Sequence, residues 1–236
     1  MWNRLFGRRA PSRPAFSVVI PSFRCAEKLS RSLVSVLAQP ADLAEVLVID
    51  GGSQDETVDV LKSYESRVRW VSEPDHGIYD AMNKGIAMSR GRYLYFLGAG
   101  DTLRPDVLDQ FARRLPGRAI GFVYGNVFMH DKNVVWDGPW TPRKFRTRTP
   151  CQQAIFYDRR IFERHGGFEL RFRAMADYAM NIRCFGDPKI RKIFVDAIIA
   201  DYEGAGFSAT FRDEVFYAER PTLLKEHLGI VPESKS

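Results

Sequence analysis

The first hundred residues alternate between two hydrophobic periods. Short runs rich in β-branched and aromatic residues, such as FSVVI and EVLVID, are separated by segments whose apolar residues recur every three to four positions. In the first such segment these positions are Leu29, Leu33, Val36 and Leu37. The alternation is typical of βαβ units, in which a helix connects two parallel strands. We therefore predict an α/β fold with a central, mostly parallel sheet flanked by helices.

Polar turns follow the predicted strands of this first half. The turns after the first three strands contain PSF, DGGSQD and EPDHGIYD, and the fourth strand, RYLYFL, ends in GAGD. Open parallel sheets bind ligands at the carboxyl ends of their strands, so these turns are expected to lie side by side. The second half is less regular. It predicts a hairpin around DKN, a helix over ADYAMNIRCF and a strand over KIFVDAIIADY.

Charge and cysteine content limit the class of protein. The chain has 35 Lys and Arg against 29 Asp and Glu, a net charge of +6, which suits an anionic ligand or a membrane surface. Its three cysteines form no CxxC pair and leave one over, which argues against a disulfide framework or a zinc site and indicates a reducing cytoplasm. The apolar runs are far shorter than the roughly 18–20 residues that span a bilayer, and MWNRLFGRR lacks the apolar core of a signal peptide.

Three carboxylates stand at positions where chemistry is expected, and each has a structural alternative. Asp50 ends a buried strand before two glycines, where it either accepts from a nucleoside or forms an Asx turn. Asp101 follows the fourth strand, where it either holds a hard divalent cation or caps a helix. Asp177 begins a predicted helix, as a general base or as a cap. The residues alone leave these alternatives open.

The segment EPDHGIYDAMNKG is denser in polar groups than a connecting turn requires. Seven polar or ionisable residues fall within twelve positions: Glu73, Asp75, His76, Tyr79, Asp80, Asn83 and Lys84. Taken singly, Asp75 fits a helix cap and Lys84 a solvated helix face, and His76 alone indicates neither a catalyst nor a ligand. A purely structural interpretation must still explain why so many of them lie in one turn.

Together these segments resemble the nucleotide-sugar-dependent glycosyltransferases of family 2, which have the Rossmann-like GT-A fold. The resemblance runs from SVVIPSFRCAEKLSRSLVSVLAQ through VLVIDGGSQDETVDVL and EPDHGIYDAMNKG to CQQAIFY and ADYAMNIRCF, most of the chain. The pair of motifs DGGSxD and EPDxGIYDAMNKG is similar to non-processive bacterial members that build polysaccharide repeat units, and the QxxRW segment of processive synthases is absent.

The resemblance implies a set of site residues. Those implied to bind the nucleotide sugar are Pro21, Ser22, Asp50, Gly51, Asp75, Gly77, Tyr79, Asp80, Asn83, Lys84, Ala99 and Gly100. The family's DxD or SGD metal motif is GAGD here, so Asp101 alone is implied to hold Mg²⁺ or Mn²⁺. Asp177 matches the catalytic base, although Ala176 replaces the Glu of the usual Glu-Asp pair.

The resemblance also implies an activity. It is an inverting transfer of a sugar from a nucleoside diphosphate sugar, most often a UDP-sugar, to a saccharide or polyprenyl-linked acceptor in bacterial surface polysaccharide assembly. No nucleic acid partner is implied. The basic tract RKFRTR is expected either to fold over donor or acceptor phosphates or to be a solvated loop. The enzyme is expected in the cytoplasm, with peripheral contact to the inner membrane as a further expectation.

The expected domain organisation follows. Residues 1–14 form a basic tail and 15–230 a single GT-A domain, with a nucleotide-sugar-binding half (15–103) and an acceptor-binding half (104–230); residues 231–236 form a second tail. Two other classes are weighed. A nucleotidyltransferase would carry a Gly-rich basic loop after strand one, where this chain has PSFRCAEK. A non-catalytic nucleotide-sugar-binding subunit would fit the reduced metal motif, but Asp101 and Asp177 are both kept.

Overall fold

The βαβ units predicted from the first hundred residues are present in the computed structural model, which describes residues 13–204 and 210–231. The strands are β1 (Phe16–Ser22), β2 (Ala44–Asp50), β3 (Arg69–Ser72), β4 (Tyr93–Phe96), β5 (Thr102–Leu103), β6 (Ile120–Met129), β7 (Val134–Trp136), β8 (Ile155–Asp158) and β9 (Ile190–Tyr202). The helices are α1 (Ala26–Leu37), α2 (Thr57–Ser63), α3 (Ile78–Met88), α4 (Val107–Ala112), α5 (Arg159–His165), α6 (Ala176–Gly186) and α7 (Glu214–Leu228).

One mixed sheet runs through the described residues. Its order is β3-β2-β1-β4-β8-β6-β9-β5, and β7 pairs with β6 as a hairpin. The first four strands are mutually parallel, whereas β8 is antiparallel to both β4 and β6. The predicted parallel character therefore holds in the first half, and the sheet becomes mixed where β8 joins it.

The core explains why the central strands are continuous apolar runs. All seven residues of β1 and all four of β4 are buried, as expected for strands covered on both faces. Aromatic rings connect these strands to the second half: Phe156 of β8 lies 5.1 Å from Phe16, 4.7 Å from Tyr95 and 4.8 Å from Phe111, between ring centroids. Centroid separations of this size are favourable for aromatic packing.

Several elements of the second half were not predicted. Strand β8 has four residues and runs directly into α5, whose N-cap Asp158 accepts a hydrogen bond from the Arg160 amide. Helix α7 contains Pro221, and its apolar residues are not gathered on one face. Neither a short buried strand nor a helix without an apolar stripe produces a clear hydrophobic period.

The two predicted tails lie mainly outside the description, at residues 1–12 and 232–236. Within residues 13–204 and 210–231, no helix has both the length and the apolar character needed to cross a bilayer.

Candidate active site

Asp50 organises the carboxyl ends of the first three strands. Its side chain is fully buried and accepts hydrogen bonds from the Ser53 amide (2.8 Å) and hydroxyl (2.6 Å), the Ser72 hydroxyl (2.6 Å) and the Ser22 hydroxyl (3.1 Å). Burial raises the pKa of Asp50, but these hydrogen bonds outweigh burial and hold the pKa below its usual value. The carboxylate thus ties together the turns of β1, β2 and β3.

An open surface lies beside this buried cluster. Gly51 follows Asp50, and a Cβ on it would come within 2.7 Å of Asp75 Oδ2 and 3.2 Å of Phe23 Cδ2. Only glycine therefore lets the turns after β1, β2 and β3 approach so closely. The Phe23 ring is 56% exposed although it is large and apolar. Phe23 and Asp75 therefore flank an accessible surface at the edge where ligands of such sheets bind.

The EPDHGIYDAMNKG segment folds into a turn stabilised by its own polar residues. Asp75 Oδ1 accepts from the Gly77 amide (2.8 Å), and Asp80 Oδ2 accepts from the His76 amide (3.0 Å). Lys84 Nζ contacts Glu73 Oε1 at 2.9 Å and donates to the Pro74 carbonyl at 2.9 Å. Helix α3 begins at the end of this turn, with Gly77 as its N-cap. Much of the polar density of this segment fixes the shape of the turn.

Two residues of the same segment reach the second half of the chain. Asn83 donates to the Phe168 carbonyl and accepts from the Phe168 amide, both at 2.8 Å. The Tyr79 hydroxyl donates to Asp177 Oδ1 at 2.6 Å, and the Tyr79 side chain is buried. Both residues were predicted to bind the nucleotide sugar; in the structure their side chains connect α3 to the residues around α6.

Asp177 lies in the first turn of α6, which begins after Met175, an N-cap without a side-chain hydrogen bond. The Asp177 side chain is half-buried. Burial raises the pKa of its carboxyl, and the hydrogen bond from Tyr79 partly offsets that rise. A carboxylate with a raised pKa and one oxygen held by a buried phenol has the properties of a general base.

Asp101 is buried beside the end of β4. Its Oδ2 accepts from Gln153 Nε2 at 2.6 Å, and its Oδ1 accepts from the Glu203 amide at 2.9 Å. Burial raises the pKa of Asp101 to about 6. Gly100 has a positive φ of 111° in this turn, and Ala99 pairs with Asp101 in an isolated β-bridge.

The surroundings of Asp101 test whether a divalent cation fits. Gly98 leaves space beside the carboxylate, since a Cβ there would come within 2.7 Å of Oδ2. The second carboxylate, Glu203, pairs with Lys28 (3.2 Å) and Arg31 (2.8 Å). In the described part of the chain, no three His, Cys, Asp or Glu side chains group to hold a metal. A cation at this turn would therefore have Asp101 as its one carboxylate ligand and would take its other ligands from phosphate and water.

The structure places the remaining predicted residues as follows. Pro21 and Ser22 are buried in β1, where Ser22 pairs with Asp50 in the ladder. The basic tract forms a 3-10 turn over Pro142–Arg146, and its Phe145 is buried under α6, where Tyr178 donates to the Phe145 carbonyl at 2.7 Å. Lys144 and Arg148 of the tract pair with Asp137. The tract is therefore anchored to the helix that carries Asp177.

Sequence reasoning did not identify Phe23, Gln153 or Glu203 as site residues. For Phe23 the usable sequence signal was a large aromatic residue in the polar turn directly after β1. Nothing in the sequence places Gln153 or Glu203 beside Asp101, because both contacts form only when the sheet assembles.

The family match, together with solved structures that share this fold, defines the class of this protein: a glycosyltransferase with the GT-A fold. The chain belongs to glycosyl transferase family 2, whose model matches residues 17–178. The predicted fold and family are confirmed, and the nucleotidyltransferase alternative is not supported.

Relatives extend the match beyond the family segment. A "PGL/p-HBAD biosynthesis glycosyltransferase" of Mycobacterium bovis (strain BCG / Pasteur 1173P2) is 36% identical over 225 residues, covering 92% of this chain and 87% of its own length. An uncharacterized glycosyltransferase of Mycobacterium tuberculosis (strain CDC 1551 / Oshkosh) is 37% identical over 183 residues, covering 73% and 69% of the two chains.

Solved structures share the fold at low identity. S. aureus TarS 1-349 in complex with UDP-GlcNAc aligns with a TM-score of 0.71 at 16% identity, covering 90% of this chain and 71% of that chain. Against the longer S. aureus TarS chain, the coverage of that chain is 42%. The mannosyltransferase PcManGT from Pyrobaculum calidifontis, in complex with GDP-Man and Mn²⁺, aligns at 0.64 with 19% identity, covering 93% and 64%.

Proposed function

We propose that this chain is an inverting glycosyltransferase that transfers a sugar from a UDP-sugar to a saccharide or lipid-linked acceptor in surface polysaccharide or glycolipid assembly. The observation that carries the proposal is Asp177: a half-buried carboxylate with one oxygen held by Tyr79 and a pKa raised by burial. Asp177 lies in the first turn of α6, and the hydrogen bond from Tyr79 connects it to α3, the helix that follows the polar turn after β3.

The donor nucleotide is proposed to lie along these turns. The exposed Phe23 ring offers a stacking surface for the base, and Asp75 offers an acceptor for base or ribose hydrogen bonds. Asp50 would support this surface from below, since its oxygens already accept from three serines. The TarS neighbours, solved with UDP and UDP-GlcNAc, favour UDP as the nucleotide of the donor. PcManGT was solved with GDP-Man, so a GDP-sugar is the alternative donor.

The proposed reaction is a single displacement. Asp177 removes the proton from an acceptor hydroxyl as the oxygen of that hydroxyl bonds to the anomeric carbon. At the same time the bond from the anomeric carbon to the diphosphate breaks, and its electron pair leaves with the diphosphate. Attack opposite the leaving group inverts the anomeric configuration. Mg²⁺ or Mn²⁺ held by Asp101 and the donor diphosphate would supply Lewis-acid stabilisation of the leaving group.

The acceptor is proposed to approach from the side of α6. The basic tract 143–148 is packed against this helix through Phe145, so its cations lie on the acceptor half, where phosphates of a lipid-linked acceptor would be attracted. The M. bovis relative is named for PGL/p-HBAD biosynthesis, which supports the glycolipid part of the proposal. Cytoplasmic location with peripheral membrane contact is part of the same proposal.

A donor panel tests this function. UDP-glucose, UDP-galactose, UDP-GlcNAc, GDP-mannose and a dTDP-sugar are screened for thermal stabilisation with and without Mn²⁺, because ligands that bind only the native state raise its stability. The selected donor is then tested for nucleotide release, and the anomeric configuration of the released or transferred sugar is determined by NMR. A UDP-sugar with inversion is expected. Stabilisation by no sugar nucleotide, or retention of configuration, contradicts the proposal.

A further inference from the structure

Tyr79 and Asp177 form the hydrogen-bonded contact that joins the donor-side helix α3 to the helix of the proposed base. The Tyr79 hydroxyl donates to Oδ1 at 2.6 Å. Among the described residues, no other side chain is recorded as donating a hydrogen bond to Asp177. The Tyr79 ring is itself fixed, because it is buried and packs against Phe168 with 5.5 Å between ring centroids. Tyr79 therefore holds one oxygen of the carboxylate in a defined position.

Among the described residues, the titratable groups that interact electrostatically with Asp177 are uncharged near neutral pH, and the cation Arg220 of α7 acts on one of them, Tyr178. The titratable groups that face it from α3, the segment before β8, β8, α6 and β9 are Tyr79, Cys151, Tyr157, Tyr178 and Tyr202. Burial raises the pKa of each of these groups, in Cys151 and Tyr202 to about 12. No positive charge among these groups orients the carboxylate, so that task falls to the hydroxyl of Tyr79.

Tyr79 is also placed to relate the base to the donor surface. It is the second residue of α3, two positions after Gly77, the N-cap that ends the turn containing Asp75. Asn83, one helical turn further on, anchors the same helix to the Phe168 backbone. A displacement of the turn would therefore move Tyr79 and with it the oxygen that Tyr79 holds.

We propose that Tyr79 is a positioning residue for Asp177: its hydroxyl fixes Oδ1 so that Oδ2 is aimed at the acceptor hydroxyl, and it transmits the position of the donor turn to the base. This inference rests on the proposed function, in which Asp177 is the base. It assigns Tyr79 a place in the reaction different from the nucleotide contact that the sequence predicted.

The test compares Tyr79→Phe with Tyr124→Phe. The control also removes a buried hydroxyl, one on β6 that accepts from the Trp140 amide and does not contact a carboxylate. Three quantities are measured: donor affinity by calorimetry, turnover of the donor selected by the panel, and the titration of Asp177 by ¹³C NMR of labelled aspartate. The Asp177 resonance is assigned from its loss in Asp177→Asn.

In Tyr79→Phe we expect unchanged donor affinity and a roughly 10- to 100-fold lower kcat, the cost of a misplaced catalytic group. Asp177 should titrate at higher pH than in the wild type, because a hydrogen bond that favours the ionised form is lost. The acid limb of the pH–rate profile should move in the same direction. Tyr124→Phe should change neither kcat nor the Asp177 titration.

Two results would overturn the inference in distinguishable ways. The positioning role alone is overturned if Tyr79→Phe has the kcat and the Asp177 titration of the wild type while Asp177→Asn is inactive. Wild-type turnover in Asp177→Asn overturns the proposed base, and the positioning role with it, whatever Tyr79→Phe does.

Discussion

Asp50 shows that a sequence can indicate where a carboxylate lies in a sheet without indicating which side chains it contacts. The sequence indicated a carboxylate at a ligand-binding edge, either facing a nucleoside or forming a local turn. The structure shows the local turn, in which Asp50 accepts from Ser53, and adds hydrogen bonds from Ser22 and Ser72 on neighbouring strands. The long-range partners could not be predicted, because many serines lie along the chain and only the sheet register selects these two.

We predict that Asp50→Asn lowers the free energy of unfolding by about 1–3 kcal/mol at pH 7, because an amide leaves buried serine donors unpaired. The folded-state pKa of Asp50 is below its usual value. Its stabilising contribution is therefore complete above the usual pKa of about 3.9 and is lost as the pH falls through the folded-state pKa. Urea unfolding at pH 7 and below pH 4 should show the difference between variant and wild type shrinking in acid.

The control is Asp59→Asn, which changes an exposed carboxylate of α2 paired with Lys62. An Asp50→Asn protein as stable as this control at pH 7 would show that the serine cluster contributes little.

Phe23 provides a prediction for the donor surface. Phe23→Ala should weaken binding of the free nucleoside diphosphate by roughly 1–3 kcal/mol, the usual value of one base–aromatic contact. Because the ring is 56% exposed, the melting temperature without ligand should hardly change. Val34→Ala, at another exposed apolar position on α1, serves as the control in the same calorimetric titrations. Equal affinities in the two variants would exclude Phe23 from the base site.

Asp101 provides a prediction for the cation. Asp101→Asn should lose the Mn²⁺-dependent part of donor binding and retain the fold, since Asn can still accept from the Glu203 amide. Calorimetry of the donor with and without Mn²⁺ measures this part directly. Asp109→Asn, an exposed carboxylate of α4, is the control. An identical Mn²⁺ response in both variants would rule out Asp101 as the ligand.

At the scale of elements, α3 connects the two halves of the chain. It begins at the polar turn after β3, and its residues Tyr79 and Asn83 contact the segment around α6. The sequence placed this helix correctly, because Ile78, Met82 and Ile86 mark its period. It could not indicate which face is buried, because Ile78 is 39% exposed whereas Tyr79 is buried. Hydrophobic spacing therefore did not show where the side chains of Tyr79 and Asn83 point.

We predict that Asn83→Ala loosens this connection. Both atoms of the side-chain amide bond the Phe168 backbone, so the substitution leaves a buried amide and carbonyl unpaired and should cost about 1–3 kcal/mol. Hydrogen exchange of the Phe168 amide should become faster, whereas Gln110→Ala, at an exposed position of α4, should leave it unchanged. Unaltered protection of Phe168 in Asn83→Ala would contradict the role of Asn83 as a connection.

At the scale of the whole molecule, the first half was predictable and the second half was predictable only in parts. The strands β1, β2 and β4 are largely apolar runs separated by helices, so the sequence of elements along the chain followed from local pattern, whereas the order β3-β2-β1-β4 in the sheet did not. Strand β8 lies between β4 and β6 and has only four residues. It is identified by its pairing with these two strands and not by a hydrophobic pattern of its own. The candidate base sits beyond this insertion, and its placement relative to the donor turns depends on tertiary assembly.

The central claim is that this assembly brings a general base to the donor, and Asp177→Asn tests it most directly. Asn preserves shape and caps a helix about as well as Asp, so a merely structural Asp177 predicts near-normal turnover. As a base, Asp177 cannot be replaced by an amide. Donor affinity should then be retained while turnover falls on the order of 10²–10⁴-fold. Turnover of Asp177→Asn within a few-fold of the wild type, at equal donor affinity, would contradict the account.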